Sequence, residues 1–303
     1  MVPIKFHPEV KSALDQGNAV VALESTIITH GMPWPQNVEV ARAVEGVVRN
    51  SGAIPATIAV FDGNIHIGLS SDQLTFLGQA KDVMKLSRAD LAFAIATKRN
   101  GATTVAATMI AASLAGIEVF ATGGIGGVHK GAENTFDISA DLTELAKTNT
   151  IVVSAGPKAI LDGEKTIEVL ETQGVPVVTY QSDILPAFWS RHSTIRSPLR
   201  LDKASEIARF SQMRQKIGLK GGILIANPIP KEDEIPASKM AIYIEQATTE
   251  AGKAGISGKE VTPWLLSRIL ELTGGKSLDT NIALVKNNAK LAAKIAIELA
   301  RHS

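Results

Sequence analysis

The chain has 303 residues, 45% of them hydrophobic, 20% charged and 4% aromatic, with no cysteine. That apolar share excludes a disordered chain, and the missing thiols exclude disulfides, thiolate metal sites and cysteine nucleophiles. Lys+Arg number 31 against 30 Asp+Glu, a net charge of +1, so neither the basic surplus nor the aromatic platforms of a nucleic-acid binder are present. The opening MVPIKFHPEVKSALDQG lacks the apolar core of a signal peptide, and the terminal ELARHS is not a peroxisomal address. A cytoplasmic protein with no membrane or nucleic-acid partner is the expectation.

In chain order, 19–23 (AVVAL) reads as a buried strand, and 37–50 as a helix with apolar positions 40, 44, 47 and 48 on one face. Gly52 sits where that helix should end, and 57–61 is again a strand. Asp62-Gly63-Asn64 then joins it to 65–69, a hairpin signal that predicts an antiparallel pair. Helices follow near 71–79, 88–97 and 104–115, with a strand at 117–121. The uncharged run 101–117 is rich in Ala and Thr rather than Leu, which suits a buried helix running into a strand better than a membrane span. After a glycine-rich loop come a helix N-capped by Ser139, a strand at 150–154, a mostly helical 158–173 and a strand at 175–180. A strand at 222–226, a helix near 238–253, a helix capped by Thr262-Pro263 and a last helix from about 279 complete the pattern. Strands alternating with helices predict an α/β fold: a single domain over 1–303 whose β-sheet, mixed because of the hairpin, is flanked by helices in α/β/α layers. Residues 200–236 read as a peripheral excursion from it.

The densest polar cluster is TGGIGGVHKGAENTFDISAD, from Thr122 to Asp141. Glycines 123, 124, 126, 127 and 131 would let backbone amides approach an anion, although the spacing is neither a dinucleotide fingerprint nor a Walker loop. His129, Asp137 and Asp141 add metal-ligand or anion-site character. Carboxylates suit hard ions such as Mg or Mn, while Asp141 could equally just complement a helix N-terminus. Lys158 in SAGPK follows a buried strand, with Pro157 at a natural first helical position. At a helix start the dipole opposes the ammonium form and favours a nucleophilic amine. Glu24 ends the apolar strand VVAL, so it is either a structurally bonded carboxylate or an acid–base group. Asn281 and Asn288, seven apart, share a helical face that is either solvated or aimed at a ligand.

The segments VVALESTIITHGMPWPQN (20–37), NGATTVAATMI (100–110), VFATGGIGGVHKGAENTFDISADLTEL (119–145), SAGPKAILD (154–162), ANPIP (226–230) and ELTGGKSLDTNIALVKNNA (271–289) closely resemble the pseudouridine-5′-phosphate glycosidase family, also described as indigoidine synthase A-like. The resemblance runs from about residue 7 to 300. It implies reversible cleavage of the C–C bond of pseudouridine 5′-phosphate to uracil and ribose 5-phosphate. It further implies a nucleophile at Lys158, a proton donor at Glu24 and a manganese (Mn2+) carboxylate at Asp137. Substrate contacts would fall at Lys85, Val105, Thr122, His129, Ser139, Ala140, Asp141 and Asn281, and the assembly would be a homotrimer. Pro157 stands where the family has a smaller residue. A Schiff-base aldolase, or an enzyme forming C-glycosides from another phosphosugar, would use the same lysine, whereas a non-catalytic phosphosugar-binding module would give no borohydride-trapped adduct.

Overall fold

The computed structural model describes residues 2–256 and 261–301. The chain opens with β1 (Ile4–Phe6), α1 (Pro8–Asp15), β2 (Val20–Leu23), α2 (Thr26–His30) and α3 (Gln36–Asn50). Next come β3 (Ile54–Phe61), β4 (Asn64–Ile67), α4 (Ser71–Gln79), β5 (Met84–Leu86) and α5 (Arg88–Ala96). β6 (Gly101–Thr103), α6 (Val105–Leu114), β7 (Val119–Ala121), β8 (Val128–His129), α7 (Ala132–Thr135) and α8 (Ala140–Lys147) follow. The second half holds β9 (Ile151–Ser154), β10 (Leu161–Asp162), α9 (Gly163–Thr172), β11 (Val177–Tyr180), β12 (Leu199–Leu201), α10 (Ala204–Lys216) and β13 (Ile223–Ala226). Three helices close it: α11 (Ala237–Lys253), α12 (Val261–Leu272) and α13 (Lys276–Ala300).

Eleven strands form one sheet in the order β1-β4-β3-β2-β7-β9-β13-β11-β12, with β6 on β3 and β5 on β6. From β2 to β12 every pair is parallel. The first half of β3 pairs parallel with β2, and its second half pairs antiparallel with β4 and β6. The β3–β4 turn has positive φ at both Asp62 (46°) and Gly63 (70°), as a tight two-residue hairpin requires. The sheet is therefore mixed, through the expected hairpin and through the antiparallel pairing of β6 with β3.

Successive strand residues face opposite layers. Val21, Leu23, Val119, Ala121, Ile151 and Val153 pack into a core covered by α3, α10, α11 and α13. Val20, Ala22, Phe120, Val152 and Leu224 pack on the other side against α1, α6 and α9. This period-two alternation with both faces buried is what makes each central strand read as a continuous apolar run. The uncharged stretch after residue 101 forms the short strand β6 and the buried helix α6, whose alanines allow close packing on the sheet. Among the described residues no helix is long and apolar enough to cross a membrane.

Two expectations need correction. Residues 200–236 are not peripheral: β13 lies between β9 and β11, hydrogen-bonded to both and buried at all four positions. Residues 158–162 are not helical either. Gly156 turns at φ +82°, Pro157 bridges to Ile125, and the Lys158 N–H donates to the Ile125 carbonyl at 3.1 Å. Helix α9 starts only at Gly163, where the Asp162 carboxylate accepts the Lys165 N–H at 3.1 Å. An aspartate cap outcompeted the Pro157 start signal. Thr262 and Pro263 fall inside α12, whose cap lies outside the described residues.

Candidate active site

Three adjacent parallel strands, β2, β7 and β9, deliver the chemistry-bearing groups at their carboxyl ends, where ligands bind in α/β sheets. Glu24 follows β2, Thr122 follows β7, and Lys158 lies just beyond β9. The two Glu24 carboxylate oxygens are engaged separately: Thr122 Oγ1 donates to Oε1 and Thr26 Oγ1 to Oε2. Two residues beyond Thr122, the Gly124 carbonyl accepts Lys158 Nζ at 2.9 Å. One short segment, 122–124, thus touches both the carboxylate and the amine.

That segment is fixed from behind. The Thr122 N–H donates to the Val153 carbonyl at 3.0 Å, and the Thr122 carbonyl accepts Asn288 Nδ2 at 2.8 Å. Asn288 is wholly buried, and its Oδ1 accepts Asn227 Nδ2 at 3.1 Å. A solvated face for Asn281 and Asn288 is therefore excluded; both point inward. Asn281 Oδ1 accepts the Trp189 indole N–H at 2.6 Å, and Trp189 stacks edge-on against Phe188 with centroids 5.0 Å apart. Phe188 backs Gly124 so closely that a Cβ there would lie 2.6 Å from the ring. Asn281 thus stands behind the lysine's acceptor, two side chains removed.

The glycine loop holds an anion, but the anion belongs to the chain. Asp141 Oδ2 accepts the Gly126 N–H at 2.8 Å, and Oδ1 accepts the Ala106 N–H at 3.0 Å, at the start of α6. Ser139 caps α8 by accepting the Asp141 N–H at 3.2 Å and donates its own N–H to the Gly127 carbonyl. Gly126 is required by packing: a Cβ would stand 2.2 Å from Ser139 Oγ. Val105, Ser139, Ala140 and Asp141 are thereby gathered around one loop, with the 7%-exposed Asp141 facing inward. Asp137 has a different neighbour, its carboxylate lying 3.9 Å from His129 Nδ1.

Among the described residues no three His, Cys, Asp or Glu side chains gather into a metal cage. Asp137, half-exposed beside His129, is a donor set suited to a hard ion that keeps most of its waters. Lys85 is half-buried on β5, paired in register with Ala102 of β6. His30, at the end of the short helix after Glu24, is held below the usual imidazole range by burial first and by the Lys85 ammonium second. Beyond Lys158 opens a cleft of about 610 Å³ between α11 and residues 185–195, with Leu185, Pro186 and Met240 in its walls; of the candidate residues only Lys158 borders it.

Sequence reasoning named Asn288 without its role, and missed Thr26 and Asn227. An Asn-Pro step after a β-branched strand, as at Asn227-Pro228, marks a chain reversal at a strand's carboxyl end and could have drawn attention to Asn227.

The sequence matches the model of the family described as indigoidine synthase A like protein over residues 9–298. A protein of Solibacter usitatus named pseudouridine-5′-phosphate glycosidase is 60% identical over 296 residues, covering 98% of this chain and 99% of its own. One of that name from Geobacillus kaustophilus is 59% identical, with 97% and 98% covered. Among solved structures, the prealnumycin C-glycosynthase AlnA in complex with ribulose 5-phosphate superposes with a TM-score of 0.92 at 35% identity, covering 99% of this chain and 97% of that one. An indigoidine synthase A-like protein of Thermotoga maritima gives 0.90 at the same identity and the same coverage of both chains.

Proposed function

The chain belongs to the indigoidine synthase A-like family, and from that premise we propose that it is a pseudouridine-5′-phosphate glycosidase, cleaving a C–C glycosidic bond reversibly to uracil and ribose 5-phosphate. The observation that carries the reading is the placement of Glu24 and Lys158 on either side of β7, both bonded to the segment 122–124.

A C-glycoside offers no heteroatom leaving group to protonate, so the two-carboxylate chemistry of ordinary glycosidases does not apply. The Lys158 amine adds to C1′ as the ribose ring opens, and the ring oxygen leaves as a hydroxyl. The C1′ carbon becomes an imine when the bond to uracil breaks. That electron pair goes to the uracil carbon, which takes a proton from Glu24. Water then hydrolyses the imine, releasing ribose 5-phosphate and the free lysine. The 5′-phosphate supplies remote binding energy, and Lys85, Val105, His129 and the Ser139–Asp141 turn are proposed contacts of the substrate as a whole. Asp137, with His129 alongside, is the proposed holder of Mn2+, which when bound would orient water and substrate oxygens. The lysine's environment differs from that expected, since the Gly124 carbonyl and not a helix N-terminus is its partner.

Cytoplasmic location and a homotrimeric assembly belong to the same proposal, the assembly resting on the resemblance. An enzyme forming a different C-glycoside is the second reading, favoured by the fold shared with AlnA; the relatives at about 60% identity weigh toward the first. The deciding experiment is release of uracil from pseudouridine 5′-phosphate, followed by absorbance or chromatography. No uracil, with ribose 5-phosphate still trapped on Lys158, would favour the second reading.

A further inference from the structure

Ser25, between Glu24 and Thr26, is fully buried and anchored on three sides. Its Oγ donates to the Ile58 carbonyl at 2.7 Å and accepts the Thr103 N–H at 2.9 Å. Its own N–H donates to the Thr103 carbonyl at 3.3 Å. Thr103 Oγ1 also donates to the Ile58 carbonyl, at 2.8 Å, and accepts Thr108 Oγ1 at 2.9 Å, so the polar cluster is internally satisfied. With Ser25 drawn into the core, its two neighbours are turned to the same outer side, where their side chains meet. Thr26 Oγ1 donates to Glu24 Oε2, while Thr122, on a backbone pinned by Val153 and Asn288, donates to Oε1. A threonine is stiff at χ1, so a hydroxyl carried on a pinned backbone is itself a fixed point.

We propose that Thr26 is a positioning residue for Glu24: its hydroxyl and that of Thr122 clamp the carboxyl group, one oxygen each, and fix the direction from which it meets the substrate carbon. The assignment rests on Glu24 as proton donor. It makes Thr26 the local half of a clamp whose remote half arrives with β7.

Thr26→Val keeps the shape and removes the hydroxyl; Thr26→Ser keeps the hydroxyl. Thr26→Val should lower kcat for uracil release about 10- to 100-fold with KM within about twofold. Borohydride trapping of ribose 5-phosphate on Lys158 should persist at wild-type extent, and Thr26→Ser should regain most of the lost rate. Unchanged kcat in Thr26→Val overturns the proposal, as does an equal loss in both variants, or a loss confined to KM or to trapping. A crystal structure of Thr26→Val reads the clamp apart from catalysis, because the Glu24 carboxylate should leave its wild-type orientation. A carboxylate still in place overturns the clamp whatever the reaction. A displaced one, in a protein whose wild type releases no uracil, overturns the proposed function alone.

Discussion

Gly126 donates its backbone N–H to Asp141 Oδ2 at 2.8 Å, across fifteen residues of chain. With Ala106 on the other oxygen, this carboxylate ties the glycine loop, α6 and α8 to one point. Removing it would strand two amide donors in a poorly solvated place. Asp141→Ala should therefore lose about 2–4 kcal/mol of unfolding free energy, and Asp141→Asn less, since its amide oxygen still accepts one bond. Urea unfolding followed by circular dichroism checks this. A loss below about 0.5 kcal/mol in Asp141→Ala would make the carboxylate a ligand group with no structural task.

Lys158 and Glu24 divide the reaction. Arginine cannot lose its proton to form an imine, so Lys158→Arg should abolish borohydride trapping of ribose 5-phosphate, with the adduct sought by peptide mass spectrometry. Lys85 is the internal control and should stay unmodified. Glu24→Gln should still be trapped while uracil release falls about 10²- to 10⁴-fold. Trapping on Lys85 instead, or unimpaired turnover in either variant, would overturn the roles.

Asp137 has little structural duty. Among the described residues its half-exposed carboxylate is paired with His129, at 3.9 Å. Asp137→Ala should leave the unfolding midpoint within about 2 °C of wild type and remove stimulation of uracil release by added Mn2+. Full turnover of the wild type after exhaustive chelation would show the ion to be dispensable.

Glu45 sets a pH dependence of stability away from the site. It accepts Thr57 Oγ1 at 2.5 Å, and burial, outweighing that bond, pushes its carboxyl above the ordinary value of 4.5. The folded state then holds this proton more tightly than the unfolded chain. Stability from this group falls as pH rises from about 4.5 through the raised value, and no further above it. Glu45→Gln, neutral at every pH, should exceed the wild type in Tm at pH 8, with the advantage vanishing near pH 4. A variant less stable at pH 8 would contradict the assignment.

Much of this was legible where two local signals agreed. Asp62-Gly63-Asn64 supplied both positive-φ residues and flanking β-branched runs, and the hairpin formed there. Ser139 capped α8 as its type and position suggested. Signals in competition misled: Pro157 suggested a helix start, but Asp162 held the stronger cap and pairing with Ile125 extended the chain before it. Long-range partners left no local trace. Asp141 has the spacing of a helix-terminus complement, yet its acceptor bonds go to residues 15 and 35 positions away. Asn288 has a polar residue's profile on an amphipathic helix, and only the sheet beneath α13 shows why it is buried.

The place of β13 between β9 and β11 also ties the site to a distant part of the sequence. Only the short β10 and α9 lie between β9 and β11 in the sequence, yet in the finished sheet the two strands stand two strand spacings apart, about 10 Å. The strand between them comes some forty residues later, so both of its ladders are pairings between residues distant in sequence. This strand does more than complete hydrogen bonds. It brings Asn227, whose N–H meets the Ser154 carbonyl at 2.7 Å, to Asn288 and through it to Thr122. One strand from late in the sequence thus braces the Thr122–Gly124 segment from behind, so a substitution that loosens β13 would reach the Glu24 carboxylate and the lysine's acceptor without touching either.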